Sequence, residues 1–276
     1  MSIVAMTREM GSLGKDVAAG VAQSLGVPVL HHEIIGNLAD KMRLRKSHVI
    51  RLLEGKANIF ERLTTDQTAL SIYTADETFG LAAQHRAAVI RGWGATHLLR
   101  PVRHVVCVRV CAPLALRVER MKQRLNTDDE DFVVGEIKAS DEAHGAITRR
   151  HFGVNWQDPE LYDLVLNTER VPIDECVDEV LRLVNHRDFG ETDASRARLA
   201  DLSLQARIRA ALREVPDTSK IDVTIEVRNK VATLSGMVDT AAERERAEQV
   251  AAGVDDVASV DNRLRVTRGS RFKLDG

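Results

Sequence analysis

A glycine-containing turn near the N-terminus carries the residues best suited to chemistry. Gly11, Gly14 and Lys15 follow a short apolar run at 3–6 and precede apolar residues at helical spacing. A strand, a glycine turn and a helix in this order make an anion site, because the first N–H groups of a helix lack internal partners and lie at the positive end of its dipole. Glycines allow the backbone to approach a bound group closely. The pattern is typical of a phosphate-binding loop.

The turn departs from the full phosphate-loop motif at two positions. Glu9 occupies the place of the leading glycine, and Asp16 replaces the hydroxyl residue that follows the lysine. Because that hydroxyl normally ligates magnesium, Asp16 either approaches the metal itself or repels phosphate through its charge. The spacing alone leaves two interpretations open, a phosphate site and a structural turn that starts a helix.

Composition restricts the class of protein. The chain has 276 residues, 44% hydrophobic and 29% charged, as expected for a globular protein of about two domains. Its net charge of -2 gives no support for nucleic-acid binding. No apolar run approaches the roughly 18 residues that span a bilayer, and the N-terminus lacks the pattern of a secretory signal. The three cysteines have no metal-binding spacing. We therefore expect a cytoplasmic protein without a transmembrane segment.

The first 187 residues alternate short apolar strands with helices, which predicts an α/β domain with a mainly parallel sheet. The predicted strands are 3–6, 27–30, 88–90, 104–110 and 163–167, and the predicted helices include 33–42 and 173–184. The segment 126–162 is charged and largely helical. In a phosphoryl-transfer protein, a mobile helix pair here, with Arg149 and Arg150, would close over the reacting phosphates. The alternative is a solvated helix face.

Apolar content falls between residues 186 and 200, and we predict a linker at 188–200. The pattern that follows has the order αββαβ, which predicts a small separate α+β module at 201–268, with a tail at 269–276. The module contains no catalytic cluster.

Local signals place the turns of this module. Asn229 and Lys230 predict a tight turn, and Gly236 is expected to break the second strand. Thr240 is predicted to cap a helix at 241–252, with Glu243 completing a capping box.

Four stretches of the N-terminal part resemble the cytidylate kinase-like family, relatives of the nucleoside monophosphate kinases in the P-loop class. They lie at residues 7–18, 89–95, 108–118 and 151–168, and the last is the most specific. Residues 201–267 resemble a BON domain, a module associated with binding to membranes, phospholipids or partner proteins. The resemblance implies a P-loop kinase-like parallel sheet flanked by helices.

The resemblance also implies a reaction, the transfer of the ATP γ-phosphoryl group to a nucleoside monophosphate, with CMP or dCMP favoured and Mg²⁺ as cofactor. Lys15, Arg149 and Arg150 would be catalytic, and Asp141 and His144 would bind the acceptor. The donor phosphates would be held by Gly11, Ser12, Leu13, Gly14, Lys15 and Asp16, the last of these also at the metal.

Three residues depart from the family pattern. His144 stands where an Asp-x-x-Arg pattern expects Arg, Trp93 replaces the arginine of a Gly-Arg-Gly turn, and His31 replaces a common Asp. A histidine is mostly neutral at pH 7 and cannot make the two-pronged contact of arginine to phosphate. The alternative function is therefore a catalytically degenerate, nucleotide-sensing regulatory protein whose BON domain docks a partner.

Overall fold

A computed structural model describes residues 3–53, 57, 61, 64–92 and 94–267. The chain divides into two compact units, with the boundary between Arg196 and Ala197. Within the described ranges, no helix combines the length and apolarity needed to cross a bilayer.

The first unit contains a five-stranded sheet in which all neighbouring strands are parallel, in the order β2-β3-β1-β4-β5. The strands are β1 (Ile3–Arg8), β2 (Val29–Leu30), β3 (Ala88–Arg91), β4 (Val105–Cys111) and β5 (Leu164–Asn167). Strand β1 is central, and its residues from Ile3 to Met6 are at most 1% exposed. Continuous apolar runs of this kind are typical of parallel strands covered on both faces.

Eight α-helices of the first unit are described; seven lie in the connections between the strands, and the eighth follows the last strand. They are α1 (Gly14–Leu25), α2 (His32–Met42), α3 (Lys46–Leu53), α4 (Gln67–Gln84), α5 (Ala95–Leu99), α6 (Leu114–Leu125), α7 (Glu130–Phe152) and α8 (Ile173–Val184). Helices α1 and α8 pack on the sheet through Val17, Val21 and Val180. The predicted α/β sheet is confirmed, and helix 173–184 has the predicted bounds.

The segment 126–162 is largely helical, as predicted, but it holds one α-helix of 23 residues, α7, and a three-residue 3-10 helix at Pro159–Leu161 instead of the expected helix pair. Asp129 caps α7 by accepting a hydrogen bond from the backbone N–H of Phe132 (2.9 Å). Gly153 follows the last residue of the helix, and its φ of 67° lies in the left-handed region that suits glycine.

The second unit has the predicted αββαβ order. Its elements are α9 (Asp193–Glu214), of which residues 193–196 lie before the boundary, β6 (Val223–Arg228), β7 (Val231–Val238), α10 (Ala241–Ala252) and β8 (Ser259–Val266). Strands β6 and β7 are antiparallel, and β7 and β8 are parallel. Residues 193–200 of the predicted linker are helical, because α9 begins at Asp193. There Ser195 and Thr192 each accept a hydrogen bond from the other's backbone N–H.

The local predictions in this unit have mixed outcomes. Asn229 and Lys230 form the predicted turn, with φ of 49° and 66°, as a two-residue hairpin turn requires. The Thr240 hydroxyl accepts from the backbone N–H of Glu243 (3.1 Å), which confirms the predicted cap. The Glu243 carboxylate reaches back as expected of a capping box, but accepts from the N–H of Asp239, one residue before the cap. The prediction that Gly236 breaks its strand is wrong. It lies inside β7, and an added Cβ would approach the Asp222 carbonyl oxygen to 3.1 Å.

Candidate active site

The glycine turn follows the carboxyl end of the central strand β1 and packs closely against Arg117 and Arg8. Gly11 has a φ of 82°, and a Cβ there would lie 2.9 Å from the Arg117 carbonyl oxygen. A Cβ at Gly14 would lie 2.6 Å from the Cβ of Arg8. Both positions therefore require glycine, and α1 begins directly at Gly14.

A cleft of about 370 Å³ lies in front of this turn. It is lined by Arg8, Gly11, Leu13, Gly14, Lys15, Asp16, Arg120, Met121 and Arg124. Four of these residues are cationic and one is anionic, so the cleft carries net positive charge at a helix N-terminus. That combination suits a polyanion such as a triphosphate. We call it the loop cleft.

Ser12 is fully buried and serves the shape of the turn. Its hydroxyl lies 2.9 Å from the Glu9 carbonyl oxygen and 3.1 Å from that of Val110. Its own carbonyl oxygen accepts from the hydroxyl of Thr168 (2.9 Å). Of the predicted donor-site residues, Ser12 alone is absent from the described lining of the loop cleft.

Asp16 is the carboxylate available to a metal in the loop cleft. It is exposed in the first turn of α1 beside Lys15. Among the described residues, no group of three His, Cys, Asp or Glu side chains converges as a metal cage. Mg²⁺ commonly uses one or two carboxylates together with substrate phosphates, and Asp16 fits that donor set.

A second cleft lies beside the loop cleft, and Arg8 lines both. Its polar lining comes from Thr7, Arg8, His31, Arg91, Ser140, Asp141 and His144, and its apolar lining includes Met10, Ile35, Ile50 and Leu53. Arg8 and Arg91 end the neighbouring parallel strands β1 and β3, so the sheet brings both cations to one edge. We call it the acceptor cleft.

His31 presents a neutral imidazole to the acceptor cleft. Its Nδ1 lies 2.8 Å from the Arg91 carbonyl oxygen, and since a carbonyl only accepts, Nδ1 carries the proton and donates. Burial and the charge of Arg91 lower the pKa of His31 to about 4. Nε2 is therefore a hydrogen-bond acceptor at pH 7, without the charge of the expected Asp.

His144 is packed into the wall of the acceptor cleft. Its ring stacks on Trp156, with centroids 4.0 Å apart and planes 10° apart, and its Nε2 lies 3.3 Å from the Thr7 hydroxyl. Burial, with the charges of His97, Arg8 and Arg109, lowers the pKa of His144 to about 3. His144 therefore supplies no positive charge where the family pattern has arginine.

Asp141 lines the acceptor cleft and is paired with Arg117. Its Oδ2 accepts from Nη1 and Nη2 of Arg117, both at 2.9 Å. Arg117 also lies 3.6 Å from the carboxylate of Glu9, which is 6% exposed and accepts from Arg109 (2.6 Å). The Arg109 guanidinium lies 5.2 Å from the Trp156 ring centroid. Glu9, at the leading-glycine position, is thus the centre of a buried ion network.

Arg149 and Arg150 are exposed in the last turn of α7. In the described part of the chain, neither residue is among those that line the two clefts. The guanidinium of Arg149 lies along its own helix, with Nη1 3.4 Å from the position a Cβ of Gly145 would take. Trp93 lies outside the described residues.

Sequence reasoning did not select Arg8, Arg91 or Arg120 as site residues. Arg120 donates to the hydroxyl and carbonyl oxygens of Thr168, at 2.9 and 2.8 Å, and lines the loop cleft. A signal was available for the first two residues. Each is a cation at the carboxyl end of a mostly apolar strand, and the carboxyl edge of a parallel sheet is where such folds form their binding crevice.

Comparisons with known proteins match both units. Residues 3–170 match the cytidylate kinase-like family, and residues 200–268 match the BON domain. The osmotically-inducible protein Y of Escherichia coli is 38% identical over 76 residues, which are 28% of this chain. The chain spans only 38% of the length of that curated relative.

Solved structures resemble the first unit at low identity. An uncharacterized protein from Eubacterium ventriosum is 19% identical with a TM-score of 0.54, over 67% of this chain and 99% of its own. A shikimate kinase from Bacteroides thetaiotaomicron is 12% identical with a TM-score of 0.42, over 67% and 99%. The first likeness shows a shared fold.

Proposed function

The chain belongs to the cytidylate kinase-like family, and we propose that it transfers the γ-phosphoryl group of ATP to a nucleoside monophosphate. The observation that carries the proposal is the meeting of two clefts at Arg8. One cleft has the glycine turn and cations that suit a triphosphate, and the other has cations beside apolar walls that suit a nucleotide acceptor. We propose CMP or dCMP as the acceptor, which the resemblance to the cytidylate kinase-like family supports.

The donor nucleotide would bind in the loop cleft. Gly11, Leu13 and Gly14 form the backbone that approaches its phosphates, and Lys15 and Arg120 supply positive charge there. Asp16 would hold Mg²⁺, which when bound neutralises phosphate charge and orients the transferred group.

The acceptor would bind with its phosphate toward Arg8 and Arg91 and its base against the apolar wall around Ile35. An oxygen of its phosphate forms the new bond to the γ-phosphorus of ATP, while the bond from that phosphorus to the β,γ-bridging oxygen breaks and ADP leaves. Arg8 borders both clefts, so its charge counters the negative charge of both phosphates during transfer.

The BON domain would act as a binding module. Its matched residues, 200–268, form a packed αββαβ unit, and we assign it a partner protein or a phospholipid as ligand. We place the domains at 1–187 and 201–268 and the protein in the cytoplasm, where ATP and nucleoside monophosphates are its substrates.

A product assay tests this function. The full chain, ATP, Mg²⁺ and each common nucleoside monophosphate should yield ADP and a nucleoside diphosphate. Lys15→Ala should lower kcat/KM by about a hundredfold to a thousandfold, since it removes charge stabilisation at the transferred phosphate. The matched control Lys138→Ala, an exposed lysine on α7, should retain activity. Full activity of Lys15→Ala would remove the assigned role of the turn.

The neutral, buried state of His144 favours a second candidate, a protein that binds nucleotide without turnover. Such a protein should form no product with any monophosphate. ADP should still raise its stability, by about 2.7 kcal/mol at a hundredfold excess over Kd. Thermal unfolding with and without ADP, beside the product assay, separates the two functions.

A further inference from the structure

Arg117 connects three segments that are far apart in the sequence. It lies on α6, is 7% exposed, and donates to the carbonyl oxygen of Met10 in the glycine turn (3.3 Å). It pairs with Glu9 in the same turn and makes its two 2.9 Å hydrogen bonds to Asp141 on α7. Met10 and Asp141 line the acceptor cleft, and Met10 directly precedes Gly11, which lines the loop cleft. The side chain of Arg117 thus links the wall of the acceptor cleft to the start of the turn that forms the loop cleft.

The backbone of Arg117 is also fixed against the turn. Its carbonyl oxygen and Cα would lie 2.9 and 3.2 Å from a Cβ at Gly11. A displacement of Arg117 therefore moves both the side-chain bond to Met10 and the surface on which Gly11 rests. Because the protein interior is close-packed, such a displacement changes the turn itself.

The position of the Arg117 guanidinium depends on the negative charge of Asp141. Removing one partner of a buried ion pair leaves the other charge uncompensated, and Arg117 has carboxylates on two sides. If Asp141 becomes neutral, its hydrogen bonds from the guanidinium lose the negative charge that strengthens them, and Arg117 shifts toward Glu9, which also holds Arg109.

We propose that Arg117 couples the two clefts, so that Asp141 acts as a positioning residue for the donor nucleotide although it lines the acceptor cleft. The coupling rests on the proposed function, since it requires nucleotide in the loop cleft. By linkage it is reciprocal: if a bound acceptor raises the affinity for the donor nucleotide by some factor, a bound donor raises the affinity for the acceptor by the same factor.

The test measures ADP affinity by calorimetry with no acceptor present. Asp141→Asn should weaken ADP binding by between about fivefold and about a hundredfold, the usual range of coupling between sites. The same change is then made in the Arg117→Lys variant, whose single ammonium group cannot reproduce the contacts of the guanidinium with both Glu9 and Asp141. In that variant, Asp141→Asn should cause almost no further change in ADP affinity.

Lys41→Met is the matched control, because it breaks the ion pairs of Lys41 with Asp76 and Glu77, outside the lining of both clefts. It should lower the Tm and leave ADP affinity unchanged.

If Asp141→Asn only lowers the Tm and leaves ADP affinity unchanged, the coupling is wrong and the proposed function stands. If the unaltered chain binds no ADP, both are wrong. Should Arg117→Lys fail to fold, the ADP affinity of Asp141→Asn alone decides.

Discussion

The two units treat buried charge in opposite ways. In the described residues, the first unit buries Glu9, Asp76, Arg109 and Arg117, whereas the buried polar side chains of the second unit are the hydroxyl residues Ser203 and Thr218. Burying a charge is unfavourable unless it is paired. Three of the four buried charges form one network under the glycine turn. The described buried charges of the molecule are therefore concentrated in the first unit, chiefly beneath the glycine turn that borders the loop cleft.

The second unit follows the simple pattern of a half-buried sheet under helices. Strand β6 alternates buried and exposed positions along its length, and Leu234 and Ile208 are fully buried in the core. Its charged side chains lie outside this core. A unit of this kind can act through its surface, in keeping with a binding module.

The largest expected effect concerns packing in the first unit. Trp156 is 2% exposed, stacks on His144 and lies beside Arg109. Trp156→Ala should lower the free energy of unfolding by about 3–5 kcal/mol, through lost burial and a cavity. The matched variant in the second unit is Met237→Ala, at a side chain 68% exposed, which should change it by less than about 0.5 kcal/mol. Urea denaturation measures both, and equal effects would contradict the comparison.

The next effect concerns the cation shared by the two clefts. Arg8→Met should lower kcat/KM by about a hundredfold to a thousandfold, because charge developing on the phosphates loses a fixed partner. Arg182→Met, on the exposed side of α8, is the control and should leave the rate unchanged. A rate for Arg8→Met near that of the unaltered chain would mean that the clefts do not share a reaction centre.

Acid should destabilise the units unequally. The pKa of His144 is lowered to about 3 in the folded state, so below pH 6.5 the unfolded state binds more protons. The stability that depends on neutral His144 is fully present above pH 6.5. It is lost as the pH falls toward 3, by at most about 1.4 kcal/mol per pH unit from this one group. The second unit has no histidine. Denaturation at pH 7 and pH 5 should show the loss in the first unit, and His144→Gln should reduce it.

The smallest effect tests a local interaction in the second unit. Thr240→Ala removes the hydroxyl that accepts from the N–H of Glu243, and should lower stability by about 1 kcal/mol. The free energy of unfolding from urea titration checks it. A loss as large as that of Trp156→Ala would contradict the assignment of Thr240 to a single helix-cap hydrogen bond.

Features set by neighbouring residues were predictable from the sequence. The helices Ile173–Val184 and Ala241–Ala252 have the predicted bounds, because apolar periodicity and a capping residue act within one element. The prediction for Gly236 was wrong because the reason for a glycine inside β7 is not local. The backbone of Asp222, the residue before the neighbouring strand β6, approaches this position closely. The sequence predicted that 126–162 is largely helical, but not that 130–152 form one continuous helix, because few apolar residues mark the buried positions of this charged segment.

The candidate site divides in the same way. The loop cleft could be predicted because its turn and its lysine lie within a few residues. The acceptor cleft could not, because His31, Arg91 and Asp141 come from three elements that only the folded sheet brings together. Glu9 appeared to be a defect of the motif, since its partner Arg109 lies 100 residues further along the chain.

The affinity of a bisubstrate analogue, adenosine and cytidine joined 5′ to 5′ by five phosphates, tests the central claim most directly. If the two clefts hold donor and acceptor on either side of Arg8, one linked molecule fills both and should bind at least about a hundredfold more tightly than ATP or CMP alone. Arg8→Met should remove most of that gain. An analogue that binds no more tightly than ATP would contradict the claim that these clefts form one site of phosphoryl transfer.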